Sequence, residues 1–437
     1  MPSPTPTPPS QPPTGYIHNL TSDQSTKLHQ TWSIILYLIN NNDDTTAEST
    51  TAPTAAGLAS ALAAHHLPSL DTLQPILDTL PRHPLPSLRA GLLSLARHDS
   101  PDTLLLRFLR ARKWSVPAAT AMLLRAIHFR HTQDIDARVL AATELDALYE
   151  ATAQAPQTPS IPGAIGATTV KTTATDSEAF LNQMRMGKAI VHGTDRQGRP
   201  VLLVRVRLHQ PGQQSEAVIT RFILHMIETV RLTLVDPVET ATILFDMTGF
   251  SVSNMEFAPV RFVIDCFQEN YPEYLGTMLI HNAPWIFSVG IWKIVKSWMD
   301  PVIVSKVHFT RSVADLEQFL VPDKILKEVG GPEAWEYEFV EPVAGENERM
   351  TETATRDRLL AEREELASKL LELTEEWLGA AEPESVAVQR TEAITAWRKQ
   401  YWVVDPFVRG RTCLDRTGVI QEGGKIDFYP GVDQLQE

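Results

Sequence analysis

KAIVHGTDRQGRPVLLVRV, residues 188–206, decides the fold class: two short apolar runs flank GTDRQGRP, whose Gly, Asp and Pro residues suit a hairpin connection. Toward the C-terminus the hydrophobic period switches back and forth. Residues 216–235 have helical spacing, TATILF (240–245) reads as a buried strand, and 255–270 is helical again. TMLIHN (277–282) then reads as a strand, 285–299 as a helix and VIVSKVHF (302–309) as a last strand. Short strands alternating with amphipathic helices predict an α/β domain around one mixed sheet.

Toward the N-terminus the pattern is helical. Thr21 with Gln24 forms a capping box ahead of Trp32, Ile35, Leu36 and Ile39. Ser100-Pro101 opens a helix through LLLRFLRARKW, and another begins near Pro117. Residues 16–150 are therefore expected to form a helical module, preceded by a disordered Pro-rich tail over 1–15. The polar stretch 40–53 and the Ala/Thr/Pro-rich stretch 151–175 read as linkers, and the α/β domain is placed at 176–342. Residues 343–437 form an acidic helical extension, with Leu359, Leu366, Leu370 and Leu373 at helical spacing.

The 437 residues are 43% hydrophobic and 21% charged, which excludes a wholly disordered or multi-span membrane protein. The formal charge of −14 is uneven: residues 333–437 hold 12 Lys+Arg against 23 Asp+Glu, whereas 99–131 hold 6 against 2. No basic domain for nucleic acid emerges. Two cysteines, Cys266 and Cys413, provide neither a disulfide framework nor a zinc cage, so a reducing, cytoplasmic setting is expected. The first residues have neither the basic nor the apolar part of a secretory signal. No run reaches the roughly 18 apolar residues of a spanning helix, so membrane contact is expected to be peripheral. GxGxxG after a strand, GxxxxGK[ST], GxSxG and HExxH are all missing, and the 13 histidines lack ligand spacing, so neither an enzyme nor a metal site is expected.

Three charged residues and one helix stand out. A helical wheel over 104–114 puts Arg112 among Leu105, Phe108 and Leu109, with Arg107, Arg110 and Lys113 on the solvated side. Arg112 is then either a paired structural arginine or a bidentate clamp on an anionic ligand. Lys306 shares a face with Val302, Val304 and His308 if 302–309 is a strand, and is either an edge-blocking lysine or a second ligand cation. Glu273 falls in the loop before a strand, where a solvated carboxylate is the plain reading. WIFSVGIWKIVKSWM (285–299) combines Trp285, Trp292 and Trp298 with Ile291, Val295, Lys293 and Lys296. That breadth of apolar surface suits either a core helix or one that covers a greasy cavity and meets a bilayer.

TLLLRFLRARKW (103–114), GTDRQGRPV (193–201), ILFDMTGF (243–250), NYPEYLGTMLIHNAPWIF (270–287), DPVIVSK (300–306) and VPDKILKEVGG (321–331) occur in the order found in the CRAL-TRIO lipid-binding family. In these motifs the chain resembles the branch of fungal phosphatidylinositol-transfer proteins. Residues 401–430 are similar to the extension of a fungal subgroup. The resemblance implies a helical N-terminal module packed on an α/β domain with a deep apolar pocket, gated by a helix around Trp285, Ile291, Trp292, Val295 and Trp298. It implies further that Arg112, Glu273 and Lys306 hold the headgroup of a bound phosphatidylinositol. The chain departs from the pattern at the pocket wall: Ile303, Ala241 and Ile243 stand where hydroxyl residues are expected, and Val191 and Leu202 where tyrosines are. Phosphatidylcholine exchange is therefore not expected.

The leading expectation is a non-enzymatic carrier that transfers or presents phosphatidylinositol at transient membrane contacts, with no cofactor beyond the lipid. The alternative is a sensor for a neutral hydrophobic metabolite such as a sterol precursor, whose acidic C-terminal region recruits a protein partner. An enzyme using the same pocket ranks below both.

Overall fold

Five strands form one mixed sheet in the order β1-β2-β3-β4-β5. β1 (Ala189–Thr194) and β2 (Pro200–Arg205) pair antiparallel, and β3 (Ala241–Asp246), β4 (Leu275–His281) and β5 (Val307–Thr310) add on in parallel. The hairpin turns on Asp195: its Oδ1 accepts from the Gln197 and Arg199 amides, and its Oδ2 accepts from the Thr242 hydroxyl at 2.7 Å. Gly198 supplies the left-handed backbone (φ 76°) that closes this turn. In this computed structural model, residues 13–42, 73–152, 174–380 and 383–430 are described. The expected Pro-rich tail up to residue 12 and most of both linkers lie outside them.

Period-two alternation divides the sheet into two faces. Ile190, Val201, Leu203, Leu244 and Leu279 pack against Leu316, Leu320, Ile325 and Val329 on one side. Val191, Leu202, Ile243 and Met278 point the other way, into a core shared with helix Glu216–Leu232. Parallel neighbours need crossovers, which explains the helical segments between strands. β2 and β3 are joined through Glu216–Leu232, β3 and β4 through Phe257–Asp265 with a π turn at Cys266–Asn270, and β4 and β5 through the Trp-rich segment.

The last strand is shorter than expected. Residues 302–309 are not one strand: Pro301–Ser305 is a helical turn, Lys306 caps it, and only Val307–Thr310 pairs with β4. The Asp300 carboxylate accepts from the Val302 amide at 2.7 Å and Pro301 stands at the first helical position, a start signal that outweighs the β propensity of Val302, Ile303 and Val304.

The helical module is built on helices Ser22–Asn42, Leu88–Ala96, Pro101–Ala111 and Val116–Thr132, packed through Trp32, Ile35, Leu92, Leu105, Phe108 and Met122. The Thr21–Gln24 capping box forms in both directions. The acidic extension folds back onto this module. Helices Thr353–Gly379 and Pro383–Val408 pair with each other and contribute Ala367 and Trp397 to the module's core. Arg390 grips Asp102 with two hydrogen bonds of 2.6 Å, while Trp32 Nε1 donates to the same carboxylate at 2.7 Å. The extension is thus structural along its apolar face, and its acidic outer face is what stays in solvent.

Candidate lipid-binding site

A cavity of about 190 Å³ lies between the sheet and the Trp-rich segment. The sheet contributes Val204, Phe245, Met278 and Ile280, the crossover helices contribute Ile219, Phe222, Val260 and Val263, and Phe287, Trp292, Val295 and Met299 close it. The alternation of β2, β3 and β4 aims one row of side chains at this space, and the helices cover it without filling it. The surrounding surface is almost all carbon, so the chemistry available is burial of hydrocarbon.

The closing segment is irregular. The single helix expected over 285–299 is instead a π turn, Phe287–Ile291, continued by a short helix, Trp292–Lys296. Phe287 and Val295 are buried, whereas Trp285 is 76% exposed and Ile286, Val289 and Ile294 also face solvent. Lys293 and Lys296 are exposed among them. Ile291 packs against the cluster of Met247, Ile280 and Phe287, and Trp298 meets the edge of Phe257 at 5.6 Å. One face therefore seals the cavity, and the other presents aromatic and aliphatic groups beside lysines, the composition that enters a membrane interface.

The proposed headgroup residues are only partly brought together. Lys306 Nζ donates to the Leu275 carbonyl at 2.8 Å and to Glu273 Oε2 at 3.3 Å, with both side chains about one-fifth exposed. Glu273 adopts φ 60°, a left-handed backbone unusual for a glutamate and costly by about 1 kcal/mol. Arg112 is paired elsewhere: it caps the end of Pro101–Ala111, and its Nη2 donates to both oxygens of Glu269 at 2.8 and 3.0 Å. The wheel misplaced three arginines; Arg110, expected in solvent, is only 10% exposed and pairs with Glu239 at 2.8 Å. Arg112 lies past the helix end and is a quarter exposed, while Arg107, expected in solvent, is buried. Arg107 pairs with Asp99, donates to the Tyr274 hydroxyl at 2.8 Å and to the Glu239 carbonyl at 3.1 Å, and lies over the Tyr274 ring.

Ala241 and Ile243 do not line this cavity. They border a separate space of about 20 Å³ with Leu202, Phe267 and Tyr274. Ile303 is buried in the adjoining core and lines neither. Of the positions the resemblance links to a choline phosphate, Leu202, Ala241 and Ile243 thus border little open space, whereas Val191 lines another cavity of about 270 Å³.

Two polar clusters escaped the sequence reading. Glu228, 1% exposed, accepts from Arg97, Arg130, Arg231 and Tyr271, joining the helical module to the α/β domain. Burial alone would raise its carboxyl pKa, but Arg231, Arg130 and Arg97 together hold it far below the usual carboxylate range. At the cavity wall, Lys188 Nζ lies 3.1 Å from His209 Nδ1, and His209 Nε2 lies 3.0 Å from Glu256 Oε2. Burial lowers the Lys188 pKa to about 8 against the pull of Glu256. Burial and then the Lys188 charge lower that of His209. A lysine heading the apolar run AIV was the one local signal; His209 and Glu256 offer none.

Among the described residues, no group of three or more His, Cys, Asp or Glu could hold a metal ion, and no helix is long and apolar enough to cross a membrane. Cys266 and Cys413 are free and buried.

Comparison with known proteins agrees with this architecture. The CRAL/TRIO domain matches over residues 184–331, and the CRAL/TRIO, N-terminal domain over 65–125. The chain is 40% identical over 324 residues to CRAL-TRIO domain-containing protein C3H8.02 of Schizosaccharomyces pombe, covering 74% of this chain and 66% of that protein. It is 35% identical over 332 residues to phosphatidylinositol transfer protein CSR1 of Eremothecium gossypii, covering 75% and 70% respectively. A crystal structure of Sfh5 superposes over 63% of this chain and 92% of that one at a TM-score of 0.39 and 16% identity, too loose a likeness to bear on function. On the family match and these two relatives, the chain belongs to the CRAL-TRIO domain family of lipid-binding proteins.

Proposed function

We propose that this chain carries one lipid between membranes or presents it there, and that phosphatidylinositol is the preferred ligand. The carbon-walled cavity under a lid of Phe287, Trp292 and Val295 is the observation that carries the reading. Such a space gains free energy only by accepting hydrocarbon. Phe287, Trp292, Val295 and Met299 close the space, so loading requires the lid to move outward, and the exposed Trp285, Ile286, Val289 and Ile294 are where it would touch the bilayer. Contact with the membrane is then peripheral and transient, and no step is catalytic.

The preference for phosphatidylinositol rests on three supports. Lys306 and Glu273 meet where the segment following the lid ends. The strained Glu273 backbone is a feature that persists only where surrounding structure enforces it. A relative that is 35% identical is named a phosphatidylinositol transfer protein. In this reading Lys306 and Arg112 pair with the phosphate and Glu273 accepts from inositol hydroxyls, with Arg112 exchanging Glu269 for the ligand.

The neutral-metabolite reading has its own observation: Leu202, Ala241 and Ile243 offer no hydroxyl, and the space they border is nearly closed. In that case a partner would meet the acidic outer face of helix Thr353–Gly379. Native mass spectrometry with lipid extraction, on protein purified from its own host, separates the two. A bound phosphatidylinositol is the expected result; a sterol-like or hydrocarbon ligand would replace the first reading with the second.

A further inference from the structure

The cavity wall has one polar pole, and nothing in the headgroup reading uses it. Lys188 precedes β1, His209 follows β2 and Glu256 precedes helix Phe257–Asp265, so three separate connections converge on one point of the lining. Lys188 is 4% exposed. Its hydrogen-bond partner there is a neutral ring rather than a carboxylate, and the carboxylate of Glu256 is reached only through His209. Arg205, the other cation on the lining, differs: its guanidinium is matched by Glu328 at 2.6 and 2.7 Å. A buried ammonium without a direct counter-ion is expensive to keep, and a purely hydrocarbon ligand would leave it so.

We propose that Lys188, oriented by His209 and Glu256, is an internal site for the terminal carboxylate of a single-chain lipid whose tail occupies the apolar cavity. His209 holds the ammonium against the wall, which keeps the charge off the lining. The flexible four-carbon stem lets the ammonium turn from His209 to an incoming carboxylate, and the ion pair forms where water is excluded. His209 stays in place through its hydrogen bond to Glu256. The burial that lowers the Lys188 pKa agrees with this picture, because a carboxylate partner relieves it. The proposal rests on the cavity being a lipid site, but it concerns Lys188 on the cavity lining and not Lys306 and Glu273, which do not line that cavity.

Laurate, methyl laurate and dodecane are the probes, each titrated into the full chain by calorimetry or by displacement of a fluorescent hydrocarbon probe. The wild type is expected to bind laurate at least tenfold more tightly than its methyl ester. Lys188→Met, which keeps the length and removes the charge, is expected to bring that ratio near one. Equal binding of acid and ester by the wild type overturns the proposal without any variant, and so does a preference that survives in a folded Lys188→Met protein. Binding of dodecane and ester without preference for the acid leaves the lipid cavity standing and removes only the Lys188 site. Failure of all three probes to bind removes both.

Discussion

Replacing Glu228 by Gln tests the joint on which the site is mounted. Its carboxylate accepts from Arg130 Nη1 at 2.8 Å, from Arg231 Nη1 at 3.1 and 3.2 Å, from Arg97, and from the Tyr271 hydroxyl at 2.8 Å. Gln keeps one acceptor oxygen and the shape, but removes the charge that compensates three buried guanidiniums. Arg130 retains Asp136, whereas Arg97 and Arg231 fall back on weaker partners such as the Leu95 carbonyl, which accepts from Arg231. Breaking a buried ion pair on one side costs about 3–5 kcal/mol, and this cluster belongs in that range. That is a large share of the 5–15 kcal/mol by which a folded domain is stable. Tyr271→Phe removes a single hydrogen bond to a charged acceptor and should cost about 1.5–3 kcal/mol.

The same cluster predicts a pH dependence with a definite sign. The folded carboxyl titrates below its unfolded value near 4.5, so its contribution is fully present above that pH and is lost as the pH falls below it. Urea unfolding of ligand-free protein should therefore show a wild-type advantage over Glu228→Gln that is constant from pH 7 to about 5 and narrows further into acid. A Gln variant less than about 1 kcal/mol weaker at pH 7, or a gap that does not change with acid, would refute the reasoning. Tyr271 opens the loop that leads to Glu273, so both variants should also weaken phosphoinositide binding, although neither residue touches the proposed headgroup site.

The remaining predictions concern the lid, the headgroup and the extension. Trp292→Ala with Trp298→Ala should slow lipid transfer between vesicles severalfold while the circular dichroism spectrum is kept; unchanged transfer in the folded variant would remove the gate role. Lys306→Ala should cost about 2–5 kcal/mol of phosphatidylinositol affinity, and Arg112→Ala less, because solvent and Glu269 already share its charge. If both variants bind like the wild type, the headgroup assignment is wrong. Labelled phosphatidylcholine should transfer far more slowly than phosphatidylinositol, since Ala241 and Ile243 would leave its phosphate oxygens unpaired; equal rates would contradict this. Arg390→Ala should cost about 3–5 kcal/mol by stranding Asp102, and a melting temperature unaltered by the change would show that the extension does not brace the helical module.

The apolar framework was legible because it is written locally. The apolar runs of β2 and β3 and the helical spacing over 216–235 need only neighbouring residues, and they locate the sheet and its crossovers, whereas the pocket was expected from the family resemblance. Buried charge is a different kind of information. Arg107 looks solvated on its own helix and becomes buried only because Asp99, Glu239 and Tyr274 arrive around it. Glu228 sits in an ordinary amphipathic helix, and two of its three arginines come from about a hundred residues or more upstream. No period could reveal either. Lys306 is the instructive exception, since Asp300-Pro301 is a local helix start that the β-branched run Val302, Ile303, Val304 obscured. The difference has a functional consequence. Lys306 joins two elements: its carbonyl accepts from the Met278 amide of β4 at 2.8 Å, and it ends a helical turn tied to the lid through Gln268, which accepts from the Asp300 amide and donates to the Trp298 carbonyl. In the proposed reading, outward movement of the lid would pull on the turn that carries Lys306 and so couple opening of the cavity to release of the headgroup.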